Sequence, residues 1–193
     1  MPKTVGYSQA EVVCEIIKQY IPANSLVLDC TYGQGLFWDS LLTPGLRLVK
    51  SDLQKWQGID VQADFTRLPF RDGVFDAVLF DPPYRGYGAK TRPGTKHFET
   101  FNPAYLYAAG ALEIWRVLKA KGLLVVKCGG GFGQVVPVVQ SLQLLYKLEH
   151  EFILTKTGSQ SFQVPGALMT QHAYFVALRK RVTKRQPQNL DTS

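Results

Sequence analysis

Phe75-Asp76-Ala77-Val78-Leu79-Phe80-Asp81-Pro82-Pro83-Tyr84 is the stretch from which this chain is read. Its first six residues form a short apolar run, the pattern of a strand buried on both faces. Asp81 and two prolines then end the strand. Consecutive prolines remove two backbone N–H donors and fix two φ angles. What remains is a rigid cluster of acceptors, the Asp81 carboxylate and the neighbouring carbonyls, capped by the aromatic face of Tyr84. A planar amino group with two N–H donors fits such a corner. The chemistry expected there is on the exocyclic amine of a nucleobase, or on a similar amide.

Working outward, strands alternate with helices. Upstream, Ser25 to Asp29, Leu46 to Asp52 and a weaker Gly58 to Asp64 read as strands. Val12, Val13, Ile16, Ile17 and Tyr20 share one face of a helix over about 8–20, with Ser8 as N-cap and Pro22 and Asn24 as its break. A second helix is expected over about 36–42. Downstream, the apolar periodicity of 103–118 predicts a helix that Gly122 ends, followed by a strand over 123–127 and a helix over 135–145 with Pro137 in its first turn. Strands at about 149–156 and 173–179 are expected to pair antiparallel. This order predicts an α/β fold, a mostly parallel seven-stranded sheet with an antiparallel last strand and helices on both faces. Ligands bind beyond the carboxyl ends of the strands in such sheets. Asp29, Asp52 and Asp81 each sit at such an end.

Asp29-Cys30-Thr31-Tyr32-Gly33-Gln34-Gly35 is a strand-to-helix glycine turn. Gly33 and Gly35 let a ligand approach the backbone where a Cβ would collide. Phe37 and Trp38 follow, so the spacing is not that of a dinucleotide fingerprint. Asp52 stands where an acid binds a ribose diol in nucleotide-binding sheets. Asp64-Phe65 offers an acid for an adenine amino group, with ring or backbone alongside.

Asp29-x-x-x-Gly33-x-Gly35, Asp52, Asp64 and Asp81-Pro82-Pro83-Tyr84, in this order, resemble the class I S-adenosylmethionine-dependent methyltransferases, and most closely the DPPY-type amino-methyltransferases of nucleic acids. The run Gly6-Tyr7-Ser8-Gln9-Ala10-Glu11-Val12-Val13 resembles the segment that precedes the glycine turn in adenine-specific DNA methyltransferases. The resemblance implies S-adenosyl-L-methionine as cofactor, held by Tyr7, Ser8, Asp29, Thr31, Tyr32, Gly33, Gly35, Asp52, Leu53, Asp64 and Phe65. It implies that Asp81, Pro82, Pro83 and Tyr84 carry the transfer. The chain departs from the family where Cys30-Thr31-Tyr32 replaces the usual proline-bearing turn, and where many adenine enzymes have Asn instead of Asp81. The expected activity is methyl transfer to a nucleobase amino nitrogen, adenine N6 in DNA first. An RNA amino-methyltransferase, a protein-glutamine methyltransferase and a catalytically silent nucleic-acid-binding subunit are the alternatives.

The chain has 193 residues, 46% hydrophobic and 19% charged, a globular balance that excludes a disordered polypeptide. That length suits one core, read as a methyltransferase domain over 1–180 and a basic, disordered tail over 181–193. A net charge of +7 favours a polyanionic partner, and the resemblance puts DNA before RNA. The loop of Arg85 to Asn102 interleaves Arg85, Lys90, Arg92 and Lys96 with Tyr87 and Phe98, a mix suited to phosphates and bases. Arg179-Lys180-Arg181 and the tail beyond offer further phosphate contacts. Gly129 to Gly133 could leave room for a target base. No stretch suits a separate target-recognition domain, so the expectation is action with little specificity, reading of a structured RNA, or a dimer or partner subunit that supplies target recognition. Cys14, Cys30 and Cys128 read as buried thiols, and neither they nor the three histidines have zinc-ligand spacing. The absence of a signal-like start and of a long apolar run places the chain in the cytoplasm, off the membrane. Gln160, Gln163 and His172 receive no role.

Overall fold

The structure, a computed structural model, describes residues 5–6, 8–38, 45–82, 103–128, 138–155 and 172–182. Its elements are β1 (Val5–Gly6), α1 (Gln9–Tyr20), β2 (Leu26–Asp29), β3 (Arg47–Asp52), β4 (Val61–Gln62), β5 (Phe75–Phe80), α2 (Pro103–Val117), β6 (Leu118–Cys128), β7 (Tyr146–Thr155) and β8 (His172–Lys180). Residues 138–142 are also helical.

The strands form one sheet in the order β1-β7-β8-β6-β5-β2-β3-β4. All pairings are parallel except those of β8, which runs antiparallel to both β6 and β7. The expected seven strands and the reversed last strand are therefore present. β1, two residues hydrogen-bonded to β7, is an eighth strand that the sequence reading did not foresee.

Alternation along the central strands explains their continuous apolarity. Leu28, Val78, Phe80, Leu124 and Val126 face one core with Leu106, Ile114 and Val117 of α2. Val27, Ala77, Leu79, Leu123 and Val125 face the other with Val12, Val13, Ile16 and Ile17 of α1. A strand covered on both faces has no polar positions to alternate with. α1 starts where expected, with the Ser8 Oγ accepting the Glu11 backbone N–H at 3.1 Å. Ser8 is thus a helix cap as well as a candidate cofactor contact.

Several boundaries differ from those expected. β4 spans two residues instead of seven, because Gly58, at φ +82°, belongs to a preceding turn. Residues 36–38 form a turn where a helix was expected, and the rest of that segment lies outside the described residues. Gly122 does not end α2. The helix stops at Val117, and Gly122 lies inside β6, whose register against β5 jumps from Phe75–Leu118 to Ala77–Leu123. Lys121 takes φ +60° there, and a Cβ on Gly122 would stand 2.9 Å from Leu118 Cδ2. Gly122 thus serves close packing.

Candidate active site at the carboxyl rim

Parallel pairing sets Asp29 beside Leu79, so Asp81 lies two residues further along the same edge, and Asp29 beside Lys50, which does the same for Asp52. The sheet therefore brings the three acids together at one rim.

The glycine turn is held from within. Asp29 is buried, and its two oxygens accept the Thr31 backbone N–H at 3.1 Å and the Trp38 indole N–H at 2.7 Å. Burial pushes this carboxyl up to about 7; the hydrogen bonds from Trp38 and Thr31 oppose the shift, while Asp81 and Asp52 add to it. Gly33, at φ +55°, donates its N–H to Asp52 Oδ2 at 2.8 Å, and the Gln54 N–H reaches Asp52 Oδ1 at 2.9 Å. Each carboxylate oxygen has a second lone pair, so Asp52 can still accept two ligand hydroxyls. Around Gly33 the nearest atom to a built Cβ is the Thr31 carbonyl oxygen at 3.9 Å, so the turn is open there. Gly35, at φ +75°, is covered by Tyr32, whose hydroxyl would lie 2.6 Å from a Cβ.

Thr31 joins the turn to the corner: its Oγ1 accepts the Asp81 backbone N–H at 2.7 Å. Asp81 Oδ2 accepts from Lys127 Nζ at 2.6 Å. The Asp81 side chain is 21% exposed, yet Oδ1 is sealed from solvent and has no hydrogen-bond partner among the described residues. A buried carboxylate oxygen without a donor is costly and calls for one. Burial raises the Asp81 carboxyl, and the Lys127 ammonium offsets only part of the rise. Pro82 is buried beside it.

Leu53 and Asp64 lie past β3 and β4. The Leu53 carbonyl accepts from Gln62 Nε2 at 2.9 Å, and Asp64 Oδ1 accepts from the backbone N–H and hydroxyl of Thr66, both at 2.8 Å. Phe65 follows Asp64. It is buried, edge-on to Phe80 with centroids 5.1 Å apart, because α2 presents Gly110 to the two rings. Phe65 can offer only its backbone to an adenine.

Tyr7, Pro83 and Tyr84, the loop over 85–102, the glycine run over 129–133, Gln160 and Gln163 lie outside the described residues. His172 opens β8. The cations of 179–181 do not reach the rim, because reversal of β8 carries them to the opposite edge, where Leu123 pairs with Arg179 and Tyr146 with Lys180. Lys180 Nζ donates to the Leu118 carbonyl at 2.6 Å and stacks over Trp115, and Arg181 Nε donates to the carbonyls of Gln143 and Tyr146. These side chains satisfy sheet-end carbonyls, and phosphate contacts at the rim are not open to them. Among the described residues, no cluster of His, Cys, Asp and Glu suits a metal, and no helix is long and apolar enough to cross a membrane.

Two residues of the rim were missed in the sequence, Trp38 and Lys127. An indole donor nine residues after an acid, and a lysine closing the apolar run Leu123-Leu124-Val125-Val126, were the available signals.

No protein-family model matches the sequence, and no curated protein does. Solved structures match in fold. The 1,6-didemethyltoxoflavin-N1-methyltransferase of Burkholderia thailandensis, crystallised with 1,6-didemethyltoxoflavin and S-adenosylhomocysteine, is 15% identical with a TM-score of 0.59, covering 90% of this chain and 79% of its own. The N-methyltransferase NodS of Bradyrhizobium japonicum, in complex with S-adenosylhomocysteine, is 14% identical with a TM-score of 0.59, covering 89% and 87%. TrmN of Thermus thermophilus is 16% identical with a TM-score of 0.59, covering 89% of this chain and 49% of its own. The fold is thus the Rossmann-like fold of class I methyltransferases.

Proposed function

We propose that this chain is an S-adenosylmethionine-dependent N-methyltransferase acting on the exocyclic amino nitrogen of a nucleobase, adenine N6 in DNA first. The observation that carries the reading is the unpartnered, buried Oδ1 of Asp81, set beside Pro82 at the rim where Asp29 and Asp52 organise the glycine turn. Two fold neighbours named as N-methyltransferases, each crystallised with S-adenosylhomocysteine, support the cofactor and the type of reaction.

The residues present suit the cofactor. Gly33 leaves room for close approach, and Asp52 keeps acceptor capacity for a ribose diol. Thr31, Tyr32, Gly33 and Gly35 would border it, Leu53, Asp64 and the Phe65 backbone would meet its adenine, and Tyr7 and Ser8 would adjoin it from the N-terminal side. S-adenosylmethionine, when bound, supplies an electrophilic methyl group on a sulfonium.

The remaining chemistry belongs to the corner. The lone pair of an exocyclic amine is delocalised into its ring, which makes the amine a poor nucleophile. Asp81 Oδ1 accepts one N–H and the Pro82 carbonyl the other, which favours a pyramidal nitrogen and frees the lone pair. This is stabilisation by fixed dipoles combined with positioning. The surplus proton of the methylated nitrogen leaves along the N–H already bonded to Asp81. Tyr84 would stack on the base, offsetting part of the cost of flipping it from a duplex.

The test is incubation with labelled S-adenosylmethionine and DNA, RNA, protein or small heterocyclic amines, followed by mass spectrometry of the product. N6-methyladenine in DNA is the expected result. Asp81→Ala should abolish transfer, by about 100-fold or more, while calorimetry shows cofactor affinity unchanged. Near-normal transfer by that variant would falsify the corner's role. A second reading, a methyltransferase for a small amine-bearing molecule, is favoured by the neighbour that binds 1,6-didemethyltoxoflavin. The same incubation separates the two.

A further inference from the structure

We propose that Lys127 is a positioning residue, which clamps the Asp81 carboxylate through Oδ2 and so holds Oδ1, which has no donor among the described residues, in place for the acceptor amine. The inference rests on the role given to Asp81 above.

Lys127 is buried, with its side chain 8% exposed, a rare place for a lysine unless it is paired. It is the last residue but one of β6, and the parallel register that sets Phe80 beside Val126 brings Asp81, just past the end of β5, alongside it. Its ammonium lies 2.6 Å from Oδ2 and 5.7 Å from the centroid of Phe37, two residues beyond Gly35 in the glycine turn. The backbone is fixed as well, since the Tyr107 hydroxyl donates to the Lys127 carbonyl at 3.2 Å. Asp81 is therefore held at both ends, its N–H by Thr31 and its Oδ2 by Lys127.

Two consequences follow for an acceptor amine. A short charge-assisted bond fixes the carboxylate plane, so the geometry at Oδ1 exists before substrate arrives. The ammonium also opposes burial, which has the larger effect and raises the acid, so removing the ammonium should raise it further. A protonated Asp81 could present a donor where an acceptor is required. The other titratable groups around the pair, among the described residues, include Asp29 on β2, the Tyr107 hydroxyl on α2 and the Cys128 thiol on β6, and Asp29 and Cys128 feel the Asp81 charge. None can replace Lys127, since an acid, a phenol and a thiol supply no positive charge.

The test reads the charge of Asp81 directly. Carbon-13 NMR of carboxyl-labelled aspartate, with the Asp81 signal assigned by Asp81→Asn, gives its titration midpoint in the wild type, Lys127→Met and Lys127→Arg. The midpoint should rise by at least about one pH unit in Lys127→Met and return toward wild type in Lys127→Arg. In methyl-transfer assays, kcat of Lys127→Met should fall on the order of 10-fold at neutral pH, its acidic limb displaced to higher pH by the same interval. KM for S-adenosylmethionine should stay unchanged. Thermal melting confirms folding, and Lys127→Gln replaces the Met variant if that one does not fold. An Asp81 midpoint that does not move overturns the inference, as does a loss of kcat equal at every pH. A wild-type protein that methylates no acceptor overturns the proposed function and the purpose given to Oδ1, and in that case the NMR titration still decides whether Lys127 governs the Asp81 charge.

Discussion

Gly35 shows how one residue's backbone can bear on a ligand site. Its φ of +75° is unfavourable for any side chain, and the Tyr32 ring occupies the space a Cβ would need. Gly35→Ala should therefore destabilise the protein by about 1–2 kcal/mol and weaken S-adenosylmethionine binding, as read by denaturant unfolding and calorimetry. Adding Tyr32→Ala removes the collision and leaves the dihedral strain, so the double variant should recover only part of the loss. Such glycines are legible in sequence because their spacing after an acid-tipped strand implies a tight turn. Trp38 and Lys127 were not. An indole that reaches back nine residues depends on the path of the turn, and a lysine at a strand end reads as a solvated charge until register places it against Asp81. The Phe65 ring is drawn into the core by the gap at Gly110, which lies 45 positions away in the chain.

Among elements, α2 does more than cover the sheet. Its Arg116 donates to the carbonyls of Leu68 and Phe70 at 3.0 and 2.8 Å and pairs with Asp72 and Glu113 at 2.7 and 2.6 Å. Glu113 in turn accepts the Leu68 N–H at 2.8 Å. The helix thereby holds the loop that feeds β5 and sets the strand carrying the candidate corner. Arg116→Ala should lower stability by about 2–3 kcal/mol in denaturant unfolding. Arg116→Lys should not rescue it, because an ammonium lacks the planar fork that serves two carbonyls and two acids. The strands were legible because burial on both faces leaves uninterrupted apolar runs. The start of β6 and the extent of β4 were not, since Gly122 serves a close approach inside β6 while Gly58 makes a turn, and both are simply glycines in the sequence.

Over the whole molecule, the order of strands and helices was legible because it follows from alternation and handedness, while the division of labour between the sheet's two ends was not. Reversal of β8 decides that division: carboxylates collect at one edge and the cations of 179–181 at the other. The acidic edge has a pH signature. Asp29 sits near 7 when folded against an ordinary 3.8, so the folded state binds more protons than the unfolded state between those values. Its contribution to stability is full below about pH 4 and is lost as pH rises through 7. A cationic ligand prefers the ionised rim. From pH 5 to pH 8 the melting temperature of the free protein should therefore fall, and the increment added by S-adenosylmethionine should grow. Thermal melts with and without ligand check this, and Asp29→Asn should flatten both trends. The place of β8 also bears on how the chain comes into being. It fills the slot between β6 and β7, yet it is synthesised after both. Until it emerges from the ribosome, β6 and β7 each expose an unpaired edge, and β1 has only an unanchored strand to dock on. The nascent protein must pass through a stage with two open sheet edges, the condition in which chains join to one another, and the closing stitch of the sheet is the final one made.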